Sequence, residues 1–157
     1  MTKWRSDRTH YDWKSVEKYT KRALSVYKGP KPDVVIGLSR GGWVPATIAA
    51  QYFSVRKLYS IGLYSYHDDT NIASSTITQY QSLPGASTDF SNKIVLMVDD
   101  ISDKGKTFKY ATKLLRDAYK CDIKTMCIVV KEGTEYKPDF YYKLEPDDKW
   151  IVFPWEE

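Results

Sequence analysis

The chain has 157 residues, with 24 Lys and Arg against 20 Asp and Glu, a formal charge of +4. One domain of roughly 100–200 residues accounts for that length, and it is large enough to bury a core without disulfide or metal staples. With 28% charged and 42% hydrophobic residues, the composition excludes a disordered or fibrous chain. The mildly basic balance suits a phosphate-bearing ligand and does not by itself argue for nucleic acid.

The apolar runs stop far short of the roughly 18 residues that cross a bilayer. The charged start, MTKWRSDRTHYDWK, has no apolar stretch of the secretory kind, so a cytoplasmic location is expected, without membrane or nucleic-acid partners. Cys121 and Cys127 do not form a CxxC pair. They read as buried thiols in a strand and its entry, against a metal or redox role.

From Thr9 to Lys28, Trp13, Val16, Tyr19, Ala23 and Tyr27 recur at spacings of three and four, which predicts a helix. Leu24 and Val26 widen its buried stripe. Gly29-Pro30 ends it, and Lys31-Pro32-Asp33 is the following turn. Val34 to Leu38 is a continuous apolar run, the mark of a strand buried on both faces. It leads into Ser39-Arg40-Gly41-Gly42 and a helix from about Val44, with Pro45 in the first turn.

Leu58 to Tyr66 reads as a strand, and Thr76 to Tyr80 as its antiparallel return, a flap across about 64–80. Ser82 to Asn92 is loop. Ile94 to Val98 is the second buried strand. It opens into Asp99-Asp100-Ile101-Ser102-Asp103-Lys104-Gly105-Lys106-Thr107 and a helix to about Tyr119. Ile123 to Val130 is a third core strand, and Phe140 to Tyr142 with Trp150 to Phe153 supply late strand pieces. The alternation predicts an α/β fold, a single-domain, mainly parallel sheet flanked by helices. Both polar segments follow a buried strand and precede a helix, which puts them at the ligand-binding carboxyl edge.

In Val98 to Thr107, a glycine turn at a helix start offers unpaired N–H groups and the positive end of the helix dipole. The Thr107 hydroxyl and the charges of Lys104 and Lys106 also favour a phosphate monoester. Asp99 and Asp100 suit sugar hydroxyls or a hard divalent cation. The alternative is that Asp103 only caps the helix and the aspartates belong to a solvated loop. A Walker A pattern is absent.

This segment resembles the phosphoribosyl-diphosphate (PRPP) loop of the type I phosphoribosyltransferases. Ile36-Gly37-Leu38-Ser39-Arg40-Gly41-Gly42 with Val44-Pro45 is similar to the diphosphate-binding segment of the xanthine-guanine branch. Ser65-Tyr66, Lys131, Pro138-Asp139-Phe140-Tyr141, Trp150-Ile151 and Pro154-Trp155-Glu156 follow in that family's order, so the resemblance covers nearly the whole chain.

The resemblance implies a small C-terminal purine-binding hood at about 131–157. It also implies transfer of phosphoribose from PRPP to N9 of a 6-oxopurine with magnesium (Mg2+). Exposed aromatics among thirteen tyrosines and five tryptophans suggest a homo-oligomer. Asp99 and Asp100 would hold the ribose hydroxyls, with Asp100 and then Asp99 nearest the metal. Asp103, Lys104, Gly105, Lys106 and Thr107 would cradle the 5′-phosphate, and Asp103 would manage the N7 proton as catalytic residue. Ser39, Arg40 and Gly41 would bind diphosphate, with a cis peptide between Arg40 and Gly41. Lys131 would donate to the 6-oxo group, Trp150 would stack on the base, and the Ile151 backbone would contact its edge.

Two departures stand out. Lys104 replaces the family's common threonine. No Lys or Arg lies between Lys57 and Lys93, so the flap lacks a basic residue, for which His67 is the stand-in or else an exposed loop histidine. Competing functions are a phosphoribosyltransferase for adenine or orotate and a non-catalytic PRPP sensor of the same fold.

Overall fold

Alternate residues of the central strand serve two separate layers. Val34, Ile36 and Leu38 pack with Phe108, Ala111 and Leu115. Val35 packs on the other side with Ala23, Leu24, Ala46 and Ala49. A strand clothed on both faces must be apolar at every position, which is why VVIGL carries no polar alternation.

The computed structural model describes residues 8–67, 75–85 and 88–157, with the side chains of Tyr66, His67 and Ser75 outside that description. In chain order the elements are β1 (Arg8–His10), α1 (Trp13–Ser25), β2 (Val34–Ser39), α2 (Trp43–Tyr52), β3 (Leu58–His67), β4 (Ser75–Gln81), β5 (Ile94–Val98), β6 (Ile101–Ser102), α3 (Lys106–Ala118), β7 (Asp122–Lys131), β8 (Phe140–Glu145) and β9 (Trp150–Val152), then a 3-10 turn at Pro154–Glu156.

The main sheet runs β4-β3-β2-β5-β7, with β8 on the far side of β7 and β6 continuing the line of β5. Every pairing is parallel except β3 with β4. That pairing is the antiparallel return expected of Thr76 to Tyr80. Residues 68–74, the middle of the expected flap, lie outside the described residues. The chain steps one way from β2 to β3 and the other way from β5 to β7, so strand order reverses between β2 and β5. A crevice opens there at the carboxyl ends of the strands.

Two boundaries differ from the periodicity. Arg8–His10 is a strand paired with β9, not the first turn of the helix. Asp12 caps α1 by accepting the Ser15 N–H at 2.7 Å, so helical backbone begins at Trp13. The helix also ends sooner, and Val26 is exposed at its C-cap rather than buried in the stripe. Cys127 is buried, as expected, whereas Cys121, in the bend before β7, is only partly covered.

Candidate active site

Two loops meet at the crevice, and glycine lets them. Pairing of Gly37 with Val98 brings the end of β2 beside the end of β5. A β-carbon on Gly41 would collide with the Asp100 carboxylate. One on Gly42 would meet the Val98 and Leu38 carbonyls and Cα of Asp99. The sequence Arg40-Gly41-Gly42 is therefore what allows an acidic pair to lie against a neighbouring backbone turn. The cis peptide of this turn joins Ser39 to Arg40, one residue before the expected position; Gly41 instead supplies the bare Cα on which the carboxylate rests. A cleft of about 440 Å³ opens beside Ser39 and Arg40, walled by Trp43, Tyr80 and Trp155.

The acidic pair is not a solvated loop. Asp99 and Asp100 are 9% and 8% exposed. Asp99 Oδ1 accepts the Asp100 N–H and Asp100 Oδ1 accepts the Ile101 N–H, each at 2.8 Å. The Asp100 carbonyl accepts from both Ile128 and Val129 of β7, which fixes the break between β5 and β6. Burial pushes the Asp99 carboxyl well above the ordinary aspartate range, and the neighbouring Asp100 charge adds to it. Burial also raises Asp100, to about 6, against hydrogen bonds that pull it down. Two buried carboxylates without a fixed cation among the described residues would be relieved by donors or positive charge from a ligand.

The adjoining turn is built to receive an anion. Gly105 has φ +82° and is the N-cap of α3, with no side chain capping the helix. The first bond within the helix runs from the Lys109 N–H to the Gly105 carbonyl, and the first turn of a helix is where backbone N–H groups and the dipole favour an anion. Asp103 and Lys104 are exposed and Thr107 is partly covered, so the helix cap is glycine and not Asp103. The turn is braced from behind by the β7–β8 connection. The Glu135 N–H donates to the Lys104 carbonyl at 3.0 Å. The Ser102 hydroxyl donates to the Tyr136 carbonyl at 2.7 Å and lies 3.0 Å from the Thr134 hydroxyl. A β-carbon on Gly105 would clash with the Tyr136 N–H. Sequence patterning did not single out Ser102, Thr134 or Tyr136, because serine, threonine and tyrosine at a strand end carry no periodic signal.

The third group of expected residues lies at the far end of β7. Lys131 is 4% exposed, not a surface lysine, and its ammonium donates to the Pro146 carbonyl at 3.0 Å and to the Lys149 carbonyl. Trp150 is 42% exposed and is not core. Ile151 is buried against Tyr11, Val16 and Phe153. Lys131 thus reaches the backbone immediately before Trp150. The candidate site is assembled from the ends of β2, β5 and β7 and the loop before β9.

An α/β sheet with an anion-ready helix start and a buried acidic pair at its switch point defines a class of sugar-phosphate-handling protein. The model of the phosphoribosyl transferase domain matches residues 12–157, and the chain belongs to that family. It is 27% identical over 152 residues to the xanthine-guanine phosphoribosyltransferase of Cereibacter sphaeroides, covering 94% of this chain and 86% of that one. Its structure superposes on the purine phosphoribosyltransferase of Pyrococcus horikoshii with a TM-score of 0.81 and 31% identity, over 96% and 95% of the two chains. The Helicobacter pylori xanthine-guanine-hypoxanthine phosphoribosyltransferase shares the fold at TM-score 0.76 and 24% identity, over 95% and 94%. No helix among the described residues is long and apolar enough to cross a membrane.

Proposed function

We propose that this phosphoribosyltransferase moves the 5-phosphoribosyl group of PRPP to N9 of a 6-oxopurine, releasing diphosphate and the nucleoside monophosphate. The observation that carries the reading is the buried Asp99–Asp100 pair packed against Gly41, next to the uncapped start of α3. A sugar phosphate matches that pattern, with hydroxyls for the carboxylates and a phosphate for the helix start. The first-turn amides and the Thr107 hydroxyl would bind the 5′-phosphate, and Lys104 and Lys106 add positive charge. Ser39, Arg40 and Gly41 would hold the diphosphate.

The difficult event is separation of C1′ from the diphosphate oxygen, which leaves a cationic sugar and a highly charged leaving group. Arg40 would offset the growing negative charge. Asp103, exposed on the rim of the turn, would take or hold the purine N7 proton and raise electron density at N9. Positioning of the base under C1′ supplies much of the acceleration. Two carboxylates are too few for a protein-built metal cage, and no three-residue acidic or histidine cluster occurs among the described residues. They fit a Mg2+ ion that arrives with the substrate and keeps oxygen ligands from it and from water. Bound in that way, the ion would neutralise the diphosphate, with Asp100 and Asp99 beside it.

Lys131 supports a 6-oxo acceptor over an exocyclic amine. An ammonium has three donors and no acceptor; two point to the Pro146 and Lys149 carbonyls, and the third remains for the base. Trp150 would then stack on the ring and the Ile151 backbone would meet its edge. Self-association belongs to the same proposal, supported by exposed aromatics such as Trp13, Tyr52 and Tyr64; light scattering of the purified protein checks it. Steady-state assay with PRPP, magnesium and each purine tests the function. Diphosphate release with guanine, hypoxanthine or xanthine is expected, and binding of PRPP without turnover would instead favour the sensor reading.

A further inference from the structure

The chain between Lys131 and Tyr136 touches both ends of the candidate site. At its start, the Thr134 N–H donates to the Lys131 carbonyl at 3.1 Å, closing a turn directly after the lysine assigned to the base. At its end, Glu135 and Tyr136 lie against the turn assigned to the 5′-phosphate. The Glu135 N–H bonds the Lys104 carbonyl, and the Tyr136 backbone fills the space beside Gly105. The Tyr136 ring stacks on Phe108, in the first turn of α3, with centroids 5.3 Å apart.

Thr134 joins these contacts. Its hydroxyl accepts the Tyr136 N–H at 3.3 Å and lies 3.1 Å from the Tyr136 carbonyl. Ser102, 2% exposed, brings a second hydroxyl to within 3.0 Å of it. The strand that carries Ser102 is already registered on β7 through Ile101–Val129 and Ser102–Val130. The paired hydroxyls extend that register beyond the sheet, so a run of short contacts leads from Lys131 through Thr134 and Tyr136 to Gly105.

We propose that Thr134 is a positioning residue that fixes the separation between the 5′-phosphate turn and the Lys131 ammonium. A ligand at one end alone tolerates a small displacement of the other end. A nucleotide that spans both, with its base joined to the sugar, does not. The inference rests on the purine-transfer reading and deepens it, because it makes one side chain responsible for matching the two substrate ends. Thr134 acts through Ser102 and Tyr136 and is assigned no contact with substrate.

Calorimetry tests this with ribose 5-phosphate, which fills one end, and with guanosine and inosine 5′-monophosphate, which span both. In Thr134→Val the Kd of the nucleotides is expected to rise about tenfold, roughly the loss of one buried hydrogen bond, with the Kd of ribose 5-phosphate unchanged. Thr134→Ser returns the hydroxyl and should restore wild-type values. Ser102→Ala should match Thr134→Val, and the double variant should add little beyond either single change. Lys109→Met removes only the surface ion pair with Glu135 and should leave every Kd unaltered. The β6–β7 pairing and the Thr134 N–H bond do not depend on the hydroxyl, and Ser102→Ala carries the test if Thr134→Val fails to fold. Nucleotide affinity equal to wild type in the folded variants would overturn the proposal, as would an equal loss for ribose 5-phosphate. Wild-type protein that binds ribose 5-phosphate but neither nucleotide, and turns over no 6-oxopurine, would instead remove the underlying functional reading.

Discussion

Asp100→Asn should make the ligand-free protein more stable while disabling it, and the size of the effect follows from burial. The Asp100 carboxyl is raised from an ordinary value of 3.8 to about 6 in the folded protein. Between those values the native state holds a proton that the unfolded chain has released, so stability falls as pH rises through that window. The shift of about two units corresponds to about 3 kcal/mol of destabilisation, fully present above pH 7 and absent below about pH 3. Asparagine keeps an oxygen to accept the Ile101 N–H and removes the ionisation, and it also lifts the neighbouring charge from Asp99. Urea unfolding without PRPP or divalent cation, from pH 4 to 8, measures the difference. The variant should gain up to about 3 kcal/mol over wild type at pH 8, and the gain should shrink steadily toward pH 4. A variant less stable at every pH, or a difference independent of pH, would refute the claim that an uncompensated buried carboxylate sits in the crevice.

Further outcomes follow from the same geometry. Asp103→Asn should lower turnover by roughly 10²- to 10⁴-fold, the range of a lost general acid–base group, with equilibrium binding of PRPP unchanged by calorimetry. Gly105→Ala should lose about 1–3 kcal/mol of stability, because φ +82° disfavours a side chain and Tyr136 occupies the space; its KM for PRPP should rise, as read in thermal melts and steady-state assays. Burial pushes the Cys127 thiol well up, so a thiol reagent should label Cys121 in the native protein and reach Cys127 only on unfolding.

The buried strands were plain in the sequence because VVIGL, IVLMV and the run to Val130 must be apolar throughout when helices cover both faces. Their polar exits therefore marked the crevice as well. The short strand at Arg8–His10 was hidden, since its pairing partner lies at Trp150–Val152 and nothing local announces a contact across that distance. Side-chain burial was equally out of reach. Asp99 and Asp100 read as either ligands or a solvated loop until the close approach of Gly41 and the cover of β7 were seen. Lys131 and Trp150 had bland alternatives, a surface lysine and a core tryptophan, that only the folded chain could remove, by burying the lysine and leaving the tryptophan exposed.

Titration of PRPP and Mg2+ into isotopically labelled protein, followed through backbone amide resonances, tests the central claim most directly. The account predicts large shifts at Lys104 to Thr107 together with Asp99, Asp100 and Gly41, all saturating with one affinity. Saturable binding that leaves the start of α3 unmoved, or no binding at all, would contradict it.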